Sequence, residues 1–225
     1  MVKQLIAKTT PEVQFAPETA KEGSKGARTR ERIMDLAEDA AIHKGFAATS
    51  IEELVEAAGI TKSGFFYHFR DKNDLARQLL TRYVARDNAI FDELTERARA
   101  LSDDPLQSFL IFLKLFAEMM DDLPSLHPGC LVASTTFQER AFDSEVARLT
   151  REAVLGWRER FHDWLLEIAE IHPPRLPADL EAVADMFNVI ADGAIITSRA
   201  VGDKSVIGRQ ARLLHDFVKL LFDGR

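Results

Sequence analysis

The stretch "TSIEELVEAAGITKSGFFYHFRDKNDL", Thr49 to Leu75, decides the fold. Thr49 and Ser50 each have a glutamate three residues on, Glu52 and Glu53, which is the capping-box spacing of a helix start. Ile51, Leu54, Val55 and Ala58 form a one-sided apolar stripe, and Gly59 interrupts it, so this helix is short. Thr61 is placed to cap a third helix that runs only to about Phe69. Two short helices around a tight glycine-containing turn make a helix-turn-helix unit.

Helical spacing continues on both sides. Upstream, Ile33, Leu36, Ala37, Ala40 and Ala41 recur at three- and four-residue steps before Gly45, so a first helix spans about Arg28 to Lys44. Residues 1–26 mix Thr, Pro, Glu, Lys and Gly with little apolar period and read as a flexible arm. Downstream, Asp71 and Asp74 repeat the cap spacing, and Leu75, Leu79, Tyr83, Ile90, Phe91, Leu94, Ala98 and Leu101 keep one period. That is a helix of about 28 residues, roughly 40 Å long, enough to join two domains. Further helices are expected over Leu106–Met120, Cys130–Phe142, Ser144–Ile171, Pro177–Ala200 and about Ser205–Phe222. No segment alternates with period two, so the fold class is all-α. The expected division is an arm over 1–26, a helix-turn-helix domain over 27–72 and a ligand-binding and dimerisation domain over 73–225.

Composition narrows the function. A 46% hydrophobic, 29% charged chain is that of an ordinary globular protein, and Lys114 breaks the best apolar run, so no membrane span is expected. The amino terminus lacks the apolar core of a secretion signal, which points to a cytoplasmic protein. A single cysteine, Cys130, leaves no internal disulfide, and no metal centre or cofactor loop is expected. The net charge of −7 is uneven: residues 25–86 carry eleven basic and nine acidic side chains, whereas 87–225 carry fifteen and twenty-four. A slightly basic head on an acidic body suits DNA binding by the head.

A helix-turn-helix offers the amino-terminal residues of its second helix to the major groove. Thr61 and Ser63 are short donors, Lys62 neutralises a phosphate, and Gly64 allows close approach to the duplex. Phe65 and Phe69, four apart, should face inward, leaving Tyr67 and His68 to donate to phosphate oxygens, with Lys72 holding another phosphate. The alternative is that these rings are only core and that Lys62 and His68 are solvated surface.

The quoted run resembles the DNA-binding domain of the TetR/AcrR family of transcriptional regulators, through Thr49, Ile51, Leu54, Ala58, Gly59, Tyr67, His68, Phe69, Lys72 and Leu75. The resemblance covers about Arg28 to Tyr83. It implies a homodimeric, all-α repressor of a double-stranded DNA operator, with a small inducer bound in the larger domain. It adds Thr49 to the contact residues, and Arg28 and Arg30 as a basic lead-in. One departure is Phe66, where the family usually carries a tyrosine whose hydroxyl touches the DNA backbone.

In the body, Phe187, Ile190 and Ala194, with Leu214, Phe217 and Leu221 on the last helix, are the expected dimer interface, although the same faces could be intramolecular core. Phe109, Phe112, Phe116, Met120, Phe137, Trp157, Phe161 and Trp164 are the candidate lining for a largely apolar inducer, with plain packing as the alternative for each. In "HPGCLVAS", His127 and Cys130 sit three apart, but no third ligand or orienting acid accompanies them, so structural packing is the simpler reading. Three rivals stay open: redox sensing by Cys130, an all-α enzyme, for which no catalytic residues stand out, and an interaction adaptor that does not use DNA.

Overall fold

The computed structural model describes residues 25 to 223, and the described residues form nine α-helices and one 3-10 turn with no strand. The expected arm lies outside them except for Lys25 and Gly26, which already belong to the first helix, α1 Lys25–Lys44. Its buried side, Ile33, Met34, Ala37 and Ala41, meets α2 Ile51–Ala58, against which α3 Lys62–His68 packs in turn. Ser50 Oγ accepts the Glu53 N–H at 3.1 Å, and Gly59 closes α2 in the left-handed conformation (φ 64°). Thr61 Oγ1 then accepts the Gly64 N–H at 3.1 Å, so both caps fall where the sequence places them.

Helix α4, Lys72–Leu101, spans 30 residues. Leu75, Ala76, Leu79, Leu80 and Tyr83 bury its first half, and Phe91, Leu94 and Ala98 its second. The body comprises α5 Pro105–Asp121, α6 Leu131–Phe137, α7 Ser144–Ile171, α8 Leu180–Val201 and α9 Val206–Phe222. A ring cluster fills its centre: Phe161 and Phe187 lie 4.2 Å apart, with Phe91, Phe109, Phe112, Phe116 and Trp164 around them. The Trp164 indole N–H donates to the Pro105 carbonyl at 3.2 Å, which satisfies its one polar atom inside that cluster.

Helix α6 departs from expectation by ending at Phe137 rather than at Phe142. Gln138 stops it: its Oε1 accepts the Ala47 N–H at 2.8 Å and its Nε2 donates to Ser134 Oγ, and the turn Glu139–Ala141 leads to the Asp143 cap of α7. No helix among the described residues is long and apolar enough to cross a membrane.

Helices α5 and α9 are in close contact at Gly208, where a Cβ would fall 2.1 Å from Asp121 Oδ1 and 3.0 Å from the Ala117 carbonyl oxygen. Gly208→Val must therefore part the two helices. The expected loss is about 1–3 kcal/mol of stability, read as a lower urea midpoint, and an unchanged midpoint would contradict this packing.

Candidate nucleic-acid interface and effector cavity

Helix α3 is seven residues long and anchored by two rings. Phe65 and Phe69, 5.4 Å apart, are fully buried, which turns the opposite side of the helix to solvent. Thr61, Lys62 and Ser63 are exposed there, and Tyr67 is 83% exposed, while Gly64 and His68 are half-buried. Phe66 is exposed as well and offers no hydrogen bond.

The cations of this surface already have partners. Lys62 bonds Glu52 at 2.6 Å and Lys44 pairs with Glu53; those bonds hold both glutamates below the usual carboxylate range. Lys72 donates to the Ala47 carbonyl at 3.2 Å and lies 5.0 Å from the Phe46 ring centre; burial, then Lys44, lowers its pKa. Arg30 is tied to Gln78 and Glu31 and lies 5.8 Å from the Phe69 ring centre. Arg28 lies on the exposed side of α1. Thr49 requires a correction: it is 1% exposed and its hydroxyl donates to the Gly45 carbonyl at 3.1 Å, so its side chain shapes the turn before α2 and does not face a duplex.

A second feature lies in the body, a cavity of about 130 Å³ lined mainly by α4, α5 and α8, with Trp157 from α7 and Ile207 from α9. Phe91, Phe116, Trp157 and Phe187 are among its apolar walls, and Tyr83, Asp87, His127, Cys130, Asn188 and Asp192 are its polar ones. Burial pushes the Asp87 carboxyl up to about 7; Arg86 opposes that, and Glu38 and Asp192 add to it. Burial also raises Asp192, and it lowers His127, with help from Arg199 and Arg86, which favours the neutral imidazole. Cys130 is the N-cap of α6, and burial followed by Asp192 pushes its thiol up to about 12. A thiol held protonated is a poor nucleophile, so the cavity does not prepare Cys130 for redox chemistry.

Of the lining expected from sequence, Phe116, Met120 and Trp157 reach this cavity. Phe109, Phe112, Phe161 and Trp164 pack behind it as core, and Phe137 is 83% exposed at the end of α6, so these five are corrected. Asp87 and Asp192 were missed, though a signal existed. Asp87 lies four residues from both Tyr83 and Phe91 on one stripe, and Asp192 follows Phe187 and Asn188 on another, so each is an acid at an apolar position.

The expected dimer residues also need correcting. Phe187, Ala194, Leu214 and Leu221 are buried within the protomer, Ile190 is half-buried, and Phe217 alone is exposed. The opposite faces carry the free apolar surface: Val189 (68% exposed) and Ile196 (60%) on α8, with Gly193 between them, and Leu213, Phe217 and Leu220 on α9. Both helices are apolar on two sides, and a single stripe could not reveal which side turns inward.

Two connections join the cavity to the first three helices. On α4, Arg86 sits 5.0 Å from the Tyr83 ring centre and bonds Glu38 of α1 at 2.7 Å, beside Arg82, which bonds Glu38 and Asp35 at 2.7 Å and Glu31 at 3.0 Å. On α6, Cys130 faces the cavity, while Ser134 donates to the Ala41 carbonyl and Gln138 holds Ala47.

This arrangement is that of an all-α helix-turn-helix regulator with a cavity in its larger part. The model for "Bacterial regulatory proteins, tetR family" matches residues 33–79. The regulator AcrR of Shigella flexneri is 34% identical over 155 residues, 68% of either chain. AcuR, a transcriptional regulator of Cereibacter sphaeroides, is 26% identical over 163 residues, 69% of each chain. A TetR-family regulator structure from Agrobacterium tumefaciens superposes with a TM-score of 0.71 at 21% identity, covering 88% of this chain and 99% of that one. The chain belongs to the TetR family of DNA-binding transcription regulators.

The raised Asp87 carboxyl has a consequence for stability. An unfolded aspartate titrates at about 3.9, so between there and about 7 the folded chain binds more protons, and stability falls as pH rises through the folded value. Asp87→Asn removes that penalty. Its gain over wild type in chemical denaturation should be larger at about pH 8 than at about pH 5, by on the order of 1–3 kcal/mol; an equal gain would mean Asp87 is charged at both.

Proposed function

We propose that the protein is a ligand-responsive transcriptional repressor that binds a palindromic operator as a homodimer and leaves it when a small molecule enters the body cavity. The observation that carries this reading is the outward row Thr61, Lys62, Ser63 and Tyr67 on a helix pinned by buried Phe65 and Phe69. In this division the DNA-binding head ends near Lys72 and the effector and dimerisation body begins at Asn73. Thr61, Ser63, Tyr67 and His68 contact phosphates or base edges, Gly64 permits the approach, and Lys62, Lys72, Arg28 and Arg30 supply charge.

Two copies are needed on electrostatic grounds. Residues 25–86 carry only two net positive charges, and the cations near α3 are shared with Glu52 and Glu53, so one copy binds DNA weakly. A symmetric pair reads two half-sites one helical turn apart. The surface that suits pairing is the exposed one, Val189, Gly193, Ile196, Leu213, Phe217 and Leu220, since apolar faces of two helices from each protomer make a four-helix contact.

Induction is a population shift. A ligand that fits the cavity better in another packing of α4 and α6 biases that packing, and the Arg86–Glu38 and Gln138–Ala47 contacts carry it to the head. A coupling of about 2–3 kcal/mol lowers operator affinity by tens to over a hundredfold.

Two measurements test this. Lys62→Ala should weaken operator binding and reduce the slope of log affinity against log salt by about one, and an unchanged slope would remove Lys62 from the phosphate contacts. Replacing Ile196 and Leu213 together by Asp should turn a dimer into a monomer in sedimentation and abolish the operator gel shift. A variant that stays dimeric would place the interface elsewhere.

A further inference from the structure

The cavity is better defined chemically than an apolar hole. Two carboxylates, Asp87 from α4 and Asp192 from α8, line it, and none of its lining residues is a lysine or arginine. The nearby guanidiniums are engaged elsewhere: Arg86 with Glu38, and Arg199 with the His127 and Pro128 carbonyls. Neither Asp87 nor Asp192 forms an ion pair with a side chain of the described residues. Among the side chains of the described residues, the Cys130 thiol is the one that hydrogen-bonds Asp192.

Two donors on the same walls are also unsatisfied. Trp157 is 7% exposed and its indole Nε1 has no partner, and Asn188 Nδ2 is likewise buried and unpaired. Unpaired donors from α7 and α8 and acids from α4 and α8 thus surround one cavity, and a buried polar group without a partner is costly. The rings of Phe91, Phe116 and Phe187 complete it, and aromatic rings attract cations.

We infer that the effector is a small organic ammonium whose charge sits with Asp87 and Asp192 and whose apolar part lies against the phenylalanines. This rests on the ligand-responsive reading above and adds the ligand's class. An anion would face two acids with no cation among the lining residues. A neutral guest would leave the carboxylates without a counter-charge. An engineered cavity of about 150 Å³ holds benzene, so about 130 Å³ is room for a single-ring body.

The raised Asp87 fits the same picture. An arriving ammonium stabilises the ionised carboxylate, so binding expels a proton near neutral pH. Arg86, Glu38 and Asp192 act on Asp87, and Arg199 and Arg86 act on His127; the Tyr83 hydroxyl and the Cys130 thiol, both raised by burial, are the remaining ionisable groups of the lining.

The test uses the full chain and three probes of matched shape: benzylamine, benzyl alcohol and benzoate. Calorimetry should show benzylamine binding most tightly, by about tenfold or more over either isostere, the yield of one charge-assisted hydrogen bond. Asp87→Asn and Asp192→Asn should each erase most of that preference while leaving benzyl alcohol binding in place. Wild-type benzylamine affinity should rise as pH climbs from about 6 to 8, as Asp87 ionises. Equal or tighter binding of benzyl alcohol or benzoate, or no saturable benzylamine binding, overturns the assignment. Operator binding by the probe-free wild type is measured in parallel: its absence overturns the regulator reading, whereas intact operator binding with the wrong probe preference overturns only the ligand class.

Discussion

Everything in this molecule hangs on the single uninterrupted stripe of α4. Leu75, Leu79 and Leu80 pack with the first three helices, and Phe91, Leu94 and Ala98 pack with the helices of the body. A helix is stiff over 30 residues, so the orientation of its first turns follows the packing of its last ones. Tyr83 and Asp87 stand at the midpoint of that stripe and also line the cavity. The site a ligand would occupy and the element that aims α3 are therefore partly the same residues.

Charge organises the junction. Three acids of α1 face two arginines of α4, and Glu38, only 9% exposed, accepts from both Arg82 and Arg86. Such a partly buried network gives direction more than raw stability, because desolvation offsets much of the attraction. Helix α6 adds a second, shorter tie of seven residues, with Cys130 at the cavity and Gln138 at the loop before α2. Two ties of different length, both touching one cavity, are a physical basis for a regulator whose head responds to what the body binds.

The sequence made the helices legible, and the head most of all. Ser50, Thr61 and Asp71 cap where their spacing says they should, since capping is local and needs no knowledge of the rest of the chain. Faces were harder to read. Helix α8 carries apolar residues on two sides, and periodicity cannot tell Phe187, turned inward, from Ile196, turned outward. Thr49 misled for a similar reason: a threonine beside a capping serine suits either a surface or a turn, and only packing put its hydroxyl on Gly45. The aromatic stripe of the body proved to be mostly core, while Asp87 and Asp192, the odd residues on that stripe and its partner, mark the cavity. Departures from a pattern carried more information about function than the pattern itself.

The central claim is geometric: two copies of α3, held by the body, enter one face of a duplex a helical turn apart. Hydroxyl-radical footprinting of the full-length protein on the DNA upstream of its own gene tests it most directly. The account requires two protected patches related by a two-fold axis and centred about 10 base pairs apart. One unpaired patch, or uniform cleavage at protein concentrations that saturate the gel shift, would contradict it.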